Sequence, residues 1–204
     1  MRNSGEPWRS CYTAASGSER DDERSLVLLT VRLLQVVILV GLATLSHAQP
    51  ISPVDAPEKI RAPAAEKVIL VARASGSQIY VCQQASGSKA QWTLRAPEAL
   101  LRDQSGAVIG RHYAGPTWKH KDGSEVSGKV VAQIDSPDAA SIPWLLITVT
   151  ASAGTGVLNG VHSIQRIHTR GGQPPPASEC NTSTLNAERK SSYTADYYFY
   201  GPAG

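Results

Sequence analysis

Sulfur and aromatics are scarce in this chain: 204 residues include one methionine, one phenylalanine and three cysteines. With Met1 alone there is no methionine-rich adaptable surface. Three cysteines are too few for a disulfide-dense scaffold, and no C-x-x-C pair marks a redox motif or a zinc finger. Charge of one sign is missing too: 20 Lys and Arg stand against 17 Asp and Glu. That near balance, with the charges scattered, excludes the basic stripe that nucleic-acid binding requires. No apolar run reaches the ~20 residues of a comfortable membrane span. Neither a phosphate-cradling glycine loop nor a G-x-G-x-x-G fingerprint occurs.

What is present begins with a greasy stretch near the start. Leu33–Leu45 reads LLQVVILVGLATL, with Arg32 before it and Ser46-His47-Ala48 after it. A positive residue, about a dozen apolar residues and a small-x-small exit form the pattern of a secretory signal. Extending the run back to Leu26 would place Arg32 inside the bilayer, at a cost of roughly 2.5 kcal/mol or more. Arg32 therefore belongs to the positive leader, and cleavage is expected after Ala48, giving a secreted or periplasmic protein with no membrane span after cleavage. The alternative is a retained anchor. The acidic run Arg20-Asp21-Asp22-Glu23-Arg24 fits no leader, which suggests a true start near Val27 to Val31.

The expected organisation is an extension and signal helix over 1–48, a Pro/Ala-rich leader segment over 49–67 and a single β domain over 68–204. Fifteen Lys and Arg and twelve Asp and Glu follow Ala48, a small positive balance. Two cysteines also follow it, Cys82 and Cys180. In an oxidising compartment an even pair most simply forms one disulfide.

The pattern from Val68 onward is β. Short runs of β-formers alternate with turn signals: Val68–Ala72, Ser75-Gly76-Ser77, Gln78–Cys82, Ala85-Ser86-Gly87-Ser88, then Gln91–Leu94. Ala96–Leu101 reads as a bent connection or one helical turn. Strands follow at Ala107–Tyr113, around Trp118, at Lys129–Ile134 and at Trp144–Thr150, the last expected to be central and buried on both faces. Val161–Thr169 reads as a strand in preference to a short helix. In the last strand Tyr193, Ala195, Tyr197 and Phe199 share the face assigned to the core; Asp196, Tyr198 and Tyr200 share the other. Eight or so short strands, turns about every ten residues and almost no helical pattern predict an all-β, mainly antiparallel sandwich or barrel.

Several motifs occur in a recognisable order. They include Gly76–Cys82, Pro97–Leu101, Gly110–Trp118, Asp122-Gly123-Ser124, Ile142–Leu146, Ile164–Gly172, Cys180 and Tyr193–Tyr200. Together they resemble a family of exported bacterial and fungal proteins catalogued only as a domain of unknown function, DUF3455. The resemblance covers nearly all of the chain after Ala48. It implies export, and it brings no activity and no catalytic residues.

Candidate chemistry has to come from the residues themselves. If Gly115-Pro116-Thr117 is a three-residue hairpin loop, His112 and His120 oppose each other with Cβ atoms ~5 Å apart. They could then share copper or zinc through their imidazoles. Asp122 or Glu125 would add an oxygen, and His162 or His168 a third nitrogen. Two solvated histidines are the bland alternative. Ser124 beside Asp122 lacks the G-x-S-x-G elbow and reads as turn chemistry. Trp118, Tyr198 and Tyr200 are candidates for a ligand-binding aromatic face. The leading expectation is a non-catalytic binding or structural module of the cell envelope or secreted matrix, without a cofactor, engaging envelope polysaccharide or protein. The alternative is a metal-dependent or polysaccharide-active enzyme centred on His112, His120 and Asp122.

Overall fold

A computed structural model describes residues 55–203. The extension and signal segment over 1–48, with Arg32, Leu33–Leu45 and the Ala48 exit, lie outside the described residues. All regular structure described is β apart from three short 3₁₀ turns. The strands are β1 (Glu66–Gln83), β2 (Gln91–Arg102), β3 (Val108–Tyr113), β4 (Thr117–His120), β5 (Glu125–Ile134), β6 (Trp144–Ala153), β7 (Ser163–Gly171) and β8 (Glu188–Pro202). Each pairs antiparallel with the next, and β8 returns to pair with β1, so the sheet closes on itself as a barrel. Closure leaves no free sheet edge to template pairing with another chain.

The interior is a packed core. On β1 the inward positions facing β8 are small, and on β8 all but Ala195 are large. Ala72 pairs with Tyr197, Ala74 with Ala195 and Gly76 with Tyr193. Large against small lets side chains fill a narrow barrel. Gly76 is required by the same closeness: a Cβ there would collide with the Glu98 carbonyl and Ala99 across the pair. Trp118, Ile147, Ile164, Tyr197 and Phe199 complete the buried centre.

A second apolar cluster lies outside the barrel. Ala56 and Ile60 are buried with Ile167, and Trp144, Leu146 and Tyr198 pack beside them. The Gln165 amide donates to the Ile60 carbonyl at 2.7 Å, and its Oε1 accepts from the Tyr200 hydroxyl at 2.9 Å. Residues 55–61 of the proline-rich run are thus part of the packed body, since Ile60 has an apolar face to cover.

Some expected breaks are absent. Ser75-Gly76-Ser77 is no turn but the middle of β1, kept there by the tight approach to β2. Ala96–Leu101 continues β2 through Pro97, which pairs with Gln78 on β1. The pairing of β2 with β3 begins only at Ala99. Proline's missing N–H therefore falls where the second neighbour has ended. Strand β6 is not buried on both faces; it is half-buried at Trp144–Leu146 and exposed toward Ala153, because only the segment around Ile60 covers its outer side. The face assignment of β8 holds: Tyr193, Ala195, Tyr197 and Phe199 all point into the core.

Cys82 and Cys180 form a disulfide, with Cα atoms 5.4 Å apart. It joins the end of β1 to the loop that leads into β8. Among the described residues no helix is long and apolar enough to cross a membrane.

Candidate functional site

The β3–β4 hairpin decides what the histidines do. Its closing pair is Tyr113 with Thr117, so the loop is Ala114-Gly115-Pro116, centred on Gly115. Gly115 takes a φ of 115°, which favours glycine. The expected register was centred one residue later. As built, His112 opposes Trp118, and His120 opposes Gly110. A shift of one residue exchanges every cross-strand partner, and the two imidazoles are not an opposed pair.

His112 is inside the barrel, 3% exposed. Its ring stacks on Trp118 at a centroid distance of 4.4 Å. Nδ1 lies 2.9 Å from the Thr117 carbonyl. A carbonyl only accepts, so Nδ1 carries the proton. Burial is the chief cause that pulls the His112 pKa down to about 3, so the ring is neutral at ordinary pH.

His120 lies with Asp122, Nδ1 to Oδ2 at 3.0 Å. The Asp122 carboxylate has other work. Oδ1 accepts from the Ser124 amide at 2.9 Å and hydroxyl at 2.6 Å. Oδ2 accepts from the Val157 amide at 2.8 Å. The Ser124 hydroxyl is fully buried and accepts from the Leu158 amide at 3.2 Å. Asp122 and Ser124 therefore tie the β4–β5 turn to the 3₁₀ turn Val157–Gly160. The Ser124 bond is the largest of several that hold the Asp122 carboxyl well below the usual range. Replacing Asp122 by Ala is expected to speed amide exchange at Val157 and Leu158 while β1 and β8 stay protected. A carboxylate with a depressed pKa stabilises fully above its unfolded value, so acid should loosen this turn progressively as the pH falls below ~3.9.

His168 pairs with Asp196 at 2.9 Å, and Glu125 accepts from the Tyr113 hydroxyl at 2.6 Å. Neither joins His112 or His120. Among the described residues no group of three or more His, Cys, Asp and Glu is placed to hold a metal ion. The aromatic candidates are also dispersed. Trp118, expected at the surface, is 1% exposed inside the barrel. Tyr200 is 6% exposed and bonded to Gln165, and Tyr198 packs in the outer cluster.

The structure does form a groove, on residues that were not singled out from the sequence. It crosses the outer face of β1–β4, has a volume of about 780 Å³ and is lined by Ser75, Ser77, Leu100, Arg111, Tyr113 and Lys119. Register makes it one row: Ser75 pairs with Leu100, Leu100 with Arg111, and Arg111 with Lys119. A second depression of about 420 Å³ adjoins it, sharing Leu100, Arg111 and Lys119 and adding Lys121. The groove is cationic. Glu98 also lines it but is held by Lys190 at 2.8 Å, and Glu125 is shared by Lys119 at 3.5 Å and Tyr113. Among the described residues Arg111 makes no ion pair. The available signal was alternation: in Arg111-His112-Tyr113 and Trp118-Lys119 the outward residues flank the buried ones.

The model of the family described as "Protein of unknown function (DUF3455)" matches residues 63–201. That span takes in all of β1 and all of β8 but Pro202, and with them the whole ring and the disulfide. The chain belongs to this family. Searches of curated proteins and of solved structures found no match.

Proposed function

We propose that this protein is an exported, non-catalytic binding module of the cell envelope or secreted matrix, and that it binds acidic polysaccharide in the groove across β1–β4. The observation that carries this reading is Arg111, an exposed cation beside Lys119 and Lys121 that has no acidic partner among the described residues. A guanidinium offers a fork of N–H donors that matches a carboxylate. Ser75 and Ser77 add hydroxyls for sugar oxygens, and Leu100 and Tyr113 give apolar surface for the C–H faces of sugar rings. A disulfide is compatible with an oxidising compartment, and a closed barrel suits a rigid display surface. The rival centre gains nothing from the geometry: His112 is enclosed, and the Asp122 carboxylate is engaged by backbone.

Affinity for a polyuronate and for a neutral glucan tests the reading. The polyuronate should bind and the neutral chain should not, with binding weakened by salt. Arg111→Ser with Lys119→Ser should weaken it by about ten-fold or more, the scale of lost charge-assisted bonds. Equal affinity in the double variant would place binding elsewhere.

A further inference from the structure

A half-buried cation on the inward face of the barrel has no counter-charge among the described residues. Arg166 on β7 pairs in register with Tyr197 on β8, so the two share the inward face. Its Nε and Nη2 both donate to the Pro143 carbonyl, at 3.2 and 2.8 Å. Among the described residues no carboxylate pairs with it. Its positive charge reaches His112, Tyr80, Tyr193 and Tyr197, all buried, and lowers the pKa of each against the larger effect of burial on every one of them but His112, where burial acts in the same direction. A cation drawn into a protein interior is costly unless a negative charge meets it.

The groups around Arg166 are donors without acceptors. The hydroxyls of Tyr193 and Tyr197 are buried and unpartnered, as is the indole N–H of Trp118. Tyr193 and Tyr197 lie near enough to influence each other and Arg166, but at no geometry that makes a hydrogen bond. The Trp118 and Tyr197 rings are 5.6 Å apart. Gln78, buried beside Gly172 and Tyr193, leaves an acceptor unpartnered, its Oε1, and stands outside this donor set. Buried polar groups in native proteins are nearly always satisfied, and here three unpartnered donors lie in the core of one barrel. Hydroxyl and indole donors beside an uncompensated guanidinium suit a single kind of occupant.

The geometry points to a small-oxyanion site inside the barrel, in which a carboxylate or phosphate is held by the Arg166 guanidinium and the hydroxyls of Tyr193 and Tyr197. It is separate from the groove, because these side chains face inward and the groove lies on the outer face of β1–β4. The half-buried Arg166 gives the ion its approach from solvent at the Pro143 end of β6.

Thermal unfolding of the disulfide-bonded protein in acetate, in inorganic phosphate and in chloride at matched ionic strength tests this. The melting temperature should climb with acetate or phosphate concentration beyond the chloride control, as mass action requires of a ligand that binds only the folded state. Which of the two acts at lower concentration identifies the oxyanion. Arg166→Met should abolish the shift, and Tyr197→Phe should raise the concentration needed by about ten-fold. If Arg166→Met does not fold, Tyr193→Phe and Tyr197→Phe, which keep both rings, carry the test. Equal melting temperatures in all three salts, or tyrosine variants that respond like the parent, would overturn the assignment. Neither result bears on polysaccharide binding in the groove.

Discussion

Acidification from neutral pH toward 3 is expected to remove roughly 4–5 kcal/mol of folding stability through His112 alone. The folded ring has a pKa of about 3, with burial as the main cause. In the unfolded chain the same ring titrates near ~6.5. As the pH falls, the unfolded state takes the proton first. The contribution is complete above the unfolded value and declines below it, by about 1.4 kcal/mol per pH unit until the folded ring also titrates. Against a typical total of about 5–15 kcal/mol the loss is large. Urea unfolding between pH ~6.5 and ~4.5 isolates it, since carboxylates titrate mostly lower. His112→Phe keeps an aromatic ring against Trp118 and cannot take a proton. It should be less stable at neutral pH, having lost the bond to Thr117, and nearly flat across that window. A parent protein with no slope there would contradict the enclosed, neutral imidazole.

Removal of the Cys82–Cys180 bridge should cost a comparable amount. The bridge closes a sequence separation of 98 residues. Chain entropy assigns ~4.7 kcal/mol to a loop of about that length, and a range of ~2–5 kcal/mol covers removal of native disulfides from small domains. The structure says which part of the fold pays this cost. The Cys82 amide donates to the Ala187 carbonyl, and the Asn186 amide donates to the Cys82 carbonyl. Those bonds, and the β1–β8 pairing from Glu66 to Val81, do not need the sulfur link. The Cys82→Ser, Cys180→Ser protein should therefore keep its ring and unfold at lower urea, with the loop before β8 losing exchange protection first. Both cysteines are buried, so reductant should act slowly on the folded protein and faster once urea opens it. Identical urea midpoints with and without the bridge would show that it adds nothing.

The two effects also show what could be read from the residues beforehand. Alternation in Tyr193–Tyr200 assigned the inner face of β8 because four large or small apolar positions repeat at period two. The disulfide followed from counting cysteines. The sandwich-or-barrel choice did not follow, since closure is a non-local pairing of β8 with β1 and leaves no local mark. Ser75-Gly76-Ser77 looked like a turn because glycine usually signals one; here it permits the close approach of β2. The hairpin's turn centre was missed by one residue, which moves each cross-strand partner by two, enough to replace a histidine pair with a histidine–tryptophan stack. The groove was hidden for a related reason. Arg111 and Lys119 become neighbours only when strands β3 and β4 are set in that register. Trp118 beside a Gly-Pro turn suggested exposure, but its alternation with Lys119 puts one of the two inside, and the indole is the one that gains by burial.

Mapping amide chemical-shift changes by NMR during titration with an acidic oligosaccharide tests the functional reading most directly. The changes should concentrate on Ser75–Ser77, Leu100, Arg111–Tyr113 and Lys119, and fade as salt is added. Changes centred on β5–β7, or none at all, would contradict a binding face across β1–β4.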